Sequence, residues 1–476
     1  MNRHFRRRTA AFASAALTTA ALTALCTAAP ASASADDTDP VITLQKPAAV
    51  AVPTAAASGT ETTVQPDLEY TTDASSVQTD ATITIDARRV AKIANVSFSD
   101  NCTVENNVAT CWELFYDDDP QGQLGSVTQM TISALPGVAA GATATYTVSG
   151  TATAGTIVGG TGSVQVGGPA FDLQPTVDHT GLAVGSTVDE PVQFTNTGDR
   201  PAAGAQLLLM ASPGLGFAQH YANCKYSEAS TSAPSEYALC TFTRTIQTGE
   251  KVALATPVQL NVTTAAYYTY LDTQIVPKGD PGLARTIDGH TWTEGTGGRL
   301  ALTVLDPGTA SSAPAGKVAL PLTGDHSDYR IAALTADNTA DFSVTGDTAQ
   351  GAVGDTVDLH FSMTNNGPAT LYDRSGSGIG LTVTLPPGTT VVGASAGCYP
   401  DSDVPQERAH GPYDCGEKGD YLVPAGHTAD FSLTVRIDQV TPGAQGTAAI
   451  AWSYTPGWRP PYDPDGANDS APLTLN

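Results

Sequence analysis

Six of the seven cysteines in this 476-residue chain fall into three local pairs: Cys102 with Cys111, Cys224 with Cys240, and Cys398 with Cys415. The seventh, Cys26, lies in an N-terminal apolar leader. Partners within a pair are close in sequence, whereas more than a hundred residues separate one pair from the next. A crosslink between near neighbours closes a short loop, so it staples one module instead of tying distant parts of the chain together. The spacing therefore predicts an oxidised chain of three modules with one disulfide in each. A Cys102–Cys224 link would contradict that reading.

Residues 1–35 have the pattern of a secretory signal. Arg3, Arg6, Arg7 and Arg8 form a basic start, residues 10–25 are apolar but too short and too rich in Ala and Thr to span a bilayer, and Ala31-Ser32-Ala33-Ser34-Ala35 offers cleavage just before Asp36. No later segment has the unbroken apolar length of a membrane span. Leu320-Pro321-Leu322-Thr323-Gly324 matches the pentapeptide by which sortases attach proteins to cell walls, but ordinary domain sequence follows it where a hydrophobic span and a basic tail would be needed. The expected location is extracellular, with the protein released or held non-covalently at the wall.

The full chain carries 22 basic and 47 acidic residues, a net charge of −25, and loss of the arginine-rich leader makes it more negative. Such a surface repels nucleic acid and anionic membranes, and it favours solubility in a crowded exterior. Thr, Val, Gly, Asp and Pro are abundant, while Lys, Glu and Met are scarce. Strands and turns favour the first set and helices the second, so the fold class is all-β.

Period-two alternation is clear at Ala81-Thr82-Ile83-Thr84-Ile85, across residues 127–132, and at Ala142-Thr143-Ala144-Thr145-Tyr146-Thr147-Val148. These runs are half-buried antiparallel strands. Residues 36–64, rich in Ala, Thr and Pro, read as a flexible lead-in with one candidate strand around Val50. Gly159-Gly160 and Gly167-Gly168 close the first unit. Two later units repeat at an offset of 169 residues: Val184-Gly185-Ser186-Thr187-Val188 leads to Phe194-Thr195-Asn196-Thr197-Gly198, and Val353-Gly354-Asp355-Thr356-Val357 leads to Met363-Thr364-Asn365-Asn366-Gly367. Each Asn-x-Gly is expected to bend through positive φ. The domains expected are 65–168, 169–345 with an insertion at about 275–335, and 346–476. The boundary at 345 rests on the likeness of residues 336–344 to the chain's own closing segment, 467–475.

Gly354-Asp355-Thr356-Val357, Thr364-Asn365-Asn366-Gly367-Pro368-Ala369, Leu385-Pro386-Pro387-Gly388-Thr389-Thr390-Val391, Ala396-Gly397-Cys398, Val423-Pro424-Ala425-Gly426 and Asn468-Asp469-Ser470 occur in that order. Residues 340–476 thereby resemble the bacterial surface-repeat family known as "domain of unknown function eleven". The likeness is looser over 170–270. In the first unit it reduces to the cysteine pair and Leu135-Pro136-Gly137 through Gly141, so Cys102 and Cys111 are the weakest copy of the staple. The resemblance implies three tandem Ig-like antiparallel β-sandwiches in a secreted or wall-associated protein, with no catalytic residues to carry over. Sandwiches of about 100 residues, each burying alternate side chains between two sheets, fit the strand pattern on physical grounds as well.

Several motifs could carry chemistry. Gly393-Ala394-Ser395-Ala396-Gly397 matches a nucleophile elbow, but the elbow needs a helix after it, and Cys398-Tyr399-Pro400-Asp401 is a poor helix start. The eight histidines are scattered, without metal-ligand spacing. Asp463, Asp465 and Asp469 form a loop of hard oxygens that is a candidate calcium site, although it lacks the Gly and distal Glu of an EF-hand; Asp117-Asp118-Asp119 is a second acidic cluster. Trp452, Tyr454, Trp458 and Tyr462 stand in a proline-rich stretch and are candidate contacts for a glycan or a protein partner, or else plugs for one end of a sandwich. The expectation is a non-catalytic protein without cofactor, playing a structural, adhesive or spacing role, its partner an extracellular protein or a cell-wall polysaccharide. The alternative is a carbohydrate-binding module that uses the C-terminal aromatics.

Overall fold

The structure is a computed structural model that describes residues 40–45, 49–55, 62–73, 77–117, 125–229, 234–287, 289–322, 327–372, 379–400, 410–416, 422–451 and 460–475. The leader lies outside these residues. Alternating apolar strands gather into three separate hydrophobic cores, running from Ile42 to Val166, from Phe171 to Ala336 and from Ala340 to Leu473. Each core lies between two layers of sheet, and the chain is all-β: three tandem Ig-like sandwiches with a single short α-helix, Gly282–Ile287, among the described residues.

Each sandwich starts the same way. Its first segment pairs antiparallel with one sheet, then crosses and pairs parallel with the closing strand of the other. In the first domain Val41–Gln45 pairs antiparallel with Asp67–Thr72, and Val50–Val52 runs parallel to Gly160–Val166. In the second, Phe171–Leu173 pairs with Gln193–Asn196, and His179–Leu182 runs parallel to Tyr329–Ala336. In the third, Ala340–Thr345 pairs with Thr356–Pro368, and Asp347–Ala349 runs parallel to Ser470–Leu475.

This plan corrects three boundaries expected from sequence. Within the expected lead-in 36–64, the described strands Val41–Gln45 and Val50–Val52, the second of them expected, send Ile42, Leu44, Val50 and Val52 into the first core. Ala340–Thr345 opens the third domain, because Ala340, Phe342 and Val344 point into its core. Its likeness to residues 467–475 therefore joins a first strand to a last strand. The insertion in the second domain begins after the sheet strand Tyr268–Pro277 and ends before Tyr329–Ala336. Part of it, Leu283 with Ile287 and Trp292, covers Leu208, Leu239 and Val276 on the outside of the sheet.

The 169-residue repeat has its basis in a buried side chain. Asn196 and Asn365 are both fully buried. The Asn196 amide donates to the carbonyls of Arg200 and Ile246 and accepts from Ala170 and Gly198. Asn365 donates to the carbonyls of Ala369 and Val423 and accepts from Gly367. Neither asparagine takes positive φ; in the second motif Gly367 does, at 78°. The asparagine is needed for what its amide joins, since each ties its own turn to the backbone of a segment about fifty residues further on.

Candidate interaction surfaces

Three disulfides form, and all three take one topological position. Each joins residues directly opposite one another on adjacent antiparallel strands, with Cα atoms 3.9, 3.9 and 4.0 Å apart. The second cysteine of each pair lies opposite a buried aliphatic on the next strand inward: Ile83 for Cys111, Leu207 for Cys240, Leu381 for Cys415. The first pair, the weakest match in sequence, is thus a full structural copy. The staples pin a hairpin at the sheet edge in the first and third domains, and one strand in from Thr293–Glu294 in the second, and leave the thiols without chemistry to perform.

The sandwiches are joined by short, bonded junctions. Between the first and second, Gly167-Gly168-Pro169-Ala170 connects the strands. The Asp199 carboxylate accepts from the Thr54 amide and hydroxyl at 3.1 and 3.0 Å and from the Gly168 amide at 2.8 Å. A Cβ at Gly167, which sits at φ 70°, would lie 2.8 Å from that carboxylate, so the turn and the clamp both require glycine. Leu320, from the sortase-like pentapeptide, is buried against Ala51 and Ala170, and its amide donates to the Pro169 carbonyl. An apolar cleft of about 310 Å³ opens beside it, between the two domains.

At the second junction the linker is Asp337-Asn338-Thr339. The Asn338 amide donates to the carbonyls of Thr264 and Ala266, Thr370 N donates to the Ala265 carbonyl, and Tyr267 meets Tyr462 edge-to-face at 5.0 Å. Burial raises the Tyr267 hydroxyl above its usual pKa.

Of the aromatic cluster offered as partner contacts or as plugs for one end of a sandwich, Trp452, Tyr454 and Trp458 lie outside the described residues. Tyr462 lies at the inter-domain contact, so its ring serves the junction. The three aspartates are also placed by the fold. Asp463 is buried and accepts the amides of Phe342 and Asp465, Asp465 accepts that of Ala467, and the Asp469 carbonyl accepts from Ile450. Asp463 is thus committed to tying the loop to the domain's first strand. Among the described residues no group of three or more His, Cys, Asp or Glu is arranged to hold a metal ion. Asp118 and Asp119 are outside the described residues. Ser395 stands between two strands, and its hydroxyl accepts from the Ser432 amide and lies 3.7 Å from Cys398 Sγ; the strand Cys398–Pro400 follows it where an elbow needs a helix.

A different row of side chains stands open to solvent. On Val108–Asp117, Ala109, Cys111 and Phe115 face the core, so Trp112, Leu114 and Tyr116 face outward, with exposures of 60%, 42% and 57%. The strand pairs over its whole length with Val77–Asp86, but its other neighbour, Cys102–Glu105, covers only Val108 to Cys111. Beyond that, Asn101 exchanges bonds with the Trp112 backbone, and the Glu113 carboxylate accepts from Asn101 Nδ2 and lies beside the Leu114 amide. Burial raises the Glu113 carboxyl above its usual value against the pull of those donors. The second domain has a related face, where Tyr268 and Tyr270 meet edge-to-face and the Tyr329 hydroxyl donates to Asp272.

No family model matches this chain, and no curated protein does. Solved structures similar to it include the complex of Dpr2 Ig1-Ig2 with DIP-Theta Ig1-Ig3, at 8% identity over 92% of this chain and 99% of that one, TM-score 0.23. The titin I9-I11 tandem is similar at 9% identity over 91% of this chain and 98% of that one, TM-score 0.17. The Yersinia pseudotuberculosis adhesin InvE is similar at 12% identity over 64% and 60%, TM-score 0.21. Scores of this size carry no functional argument, and the fold class stands on the strand pairing itself.

Proposed function

We propose that this chain is an exported, non-catalytic Ig-like repeat protein that holds other components in place outside the bacterial cell, as a structural, adhesive or spacing element. The observation that supports this most is the pair of junctions. Asp199 clamps the first to the second, and Asn338 with Tyr267 and Tyr462 clamps the second to the third, so that the linkers transmit orientation. A chain whose modules bound separately would have little use for buried linkers. Three staples suit an oxidising exterior, and the basic, alanine-rich leader supplies the route to it. The likeness of residues 340–476 to bacterial surface repeats supports the same reading.

Cell fractionation of the producing bacterium, with small-angle scattering of the purified mature chain, tests this. A culture-supernatant or wall-fraction location and a single rigid envelope are expected. A cytoplasmic location, or scattering that requires freely jointed domains, would overturn the proposal.

A further inference from the structure

We propose that the outward face of the Val108–Asp117 strand is a binding platform for a neutral polysaccharide. Trp112, Leu114 and Tyr116 project from alternate positions of one strand, which sets them in a straight row with about 7 Å between neighbours. Trp112 and Tyr116 at the two ends leave room for more than one pyranose ring. The apolar C–H face of a pyranose stacks on such rings, while its hydroxyls need partners close by.

The neighbouring strands supply those partners. By register Trp112 lies beside Thr82 and then Thr151, Leu114 beside Asp80, and Tyr116 beside Gln78. Thr82, Asp80, Gln78 and Thr151 are all exposed. These flanking positions hold hydroxyls, an amide and a carboxylate but no Lys or Arg, and the chain as a whole is at −25. An anionic polymer would meet repulsion, whereas a neutral, hydroxyl-bearing one finds both stacking surface and hydrogen-bonding groups.

The strand's open edge argues against a protein strand as the occupant. Strand addition needs the outward backbone groups beyond Cys111, and the amide and carbonyl of Trp112 are already taken by Asn101. The face, unlike the edge, exposes its side chains to solvent. This site is independent of the junctions on which the spacer role rests.

The test is affinity electrophoresis and titration calorimetry of the full mature chain against laminarin, mannan, xylan and galactan, with dextran sulfate as the anionic control. Retention by at least one neutral polymer, and none by dextran sulfate, is expected. Trp112→Ala with Tyr116→Ala should weaken binding at least tenfold with an unchanged melting midpoint, while Trp112→Tyr keeps most of it. No retention by any of the four would overturn the proposal, as would equal binding by the double variant. A concentration-dependent dimer abolished by the same substitutions, without glycan binding, would reassign the face to self-association and also overturn it.

Discussion

Asn365 holds in the third domain the place that Asn196 holds in the second, with its amide bridging the carbonyl four residues ahead to one on a distant loop, at Val423 in one case and Ile246 in the other. In both domains a glycine amide returns to the asparagine's own carbonyl, from Gly249 to Asn196 and from Gly426 to Asn365. The repeat preserves a polar knot inside an apolar core. Asn365→Ala would remove the side-chain partner of the Ala369 and Val423 carbonyls and of the Gly367 amide. Stability of the third domain should fall by about 3 kcal/mol, since each orphaned group costs roughly 1–3 and local rearrangement recovers part. Urea unfolding followed by a third-domain probe measures it, and a loss within error of zero would contradict the role given to the knot.

The staples should act through the unfolded chain. They close loops of 9, 16 and 17 residues. Replacing Cys398 and Cys415 by Ser should cost about 3 kcal/mol, and replacing Cys102 and Cys111 about 0.5 kcal/mol less, because the loop-closure entropy grows only with the logarithm of length. Non-reducing peptide mass spectrometry with denaturant titration of each variant checks both the pairing and the order.

Asp199→Ala should loosen the first junction while leaving either core intact. Three hydrogen bonds converge on that carboxylate from the Thr54 and Gly168 side. The expected result is faster proteolysis between the first two domains and a broader scattering envelope, with the melting midpoint little changed. Tyr462→Ala should do the same at the second junction.

Glu190 gives the second domain a pH dependence. It is buried beside His179, with Oε1 2.7 Å from Nε2, and burial raises its carboxyl above the usual 4.5 against the opposing pull of the imidazole. A carboxyl raised in the folded state holds its proton more tightly there than in the unfolded chain. Its contribution is therefore complete below 4.5 and is lost as pH rises through the raised value. Glu190→Gln should flatten the decline in stability from pH 4.5 upward, read from urea midpoints at constant ionic strength.

How far the residues announced this fold depends on what each had to satisfy. Alternation and paired cysteines are local signals, and they led directly to three stapled all-β units. The strand around Val50 was legible, but Val41–Gln45 was hidden by its Ala- and Pro-rich surroundings; both are completed by pairing with segments about a hundred residues away. Tyr462 reads as a binding aromatic until Tyr267, from another domain, covers it. Cys111-Trp112-Glu113-Leu114-Phe115-Tyr116 is apolar on both faces, a pattern that reads as a buried strand. Its outward row is recognisable only once the sheet leaves Trp112 and Leu114 exposed. The one available hint was the concentration of large side chains at alternate positions.

The first strands crossing from sheet to sheet have a mechanical consequence. Tension applied along the tandem enters each domain near its opening strand and leaves near its closing strand. In each domain these lie side by side and parallel: Val50–Val52 against Gly160–Val166, His179–Leu182 against Tyr329–Ala336, and Asp347–Ala349 against Ser470–Leu475. Pulled this way, their hydrogen bonds are sheared together instead of being unzipped one at a time. The disulfides sit off this load path, toward the opposite side of the sheet, so they leave the rupture force alone and shorten the extension released, by roughly 3.5 Å for every residue each loop withholds. Stretched at its ends, the molecule should yield in discrete steps and never run out to its full contour until a reductant is added.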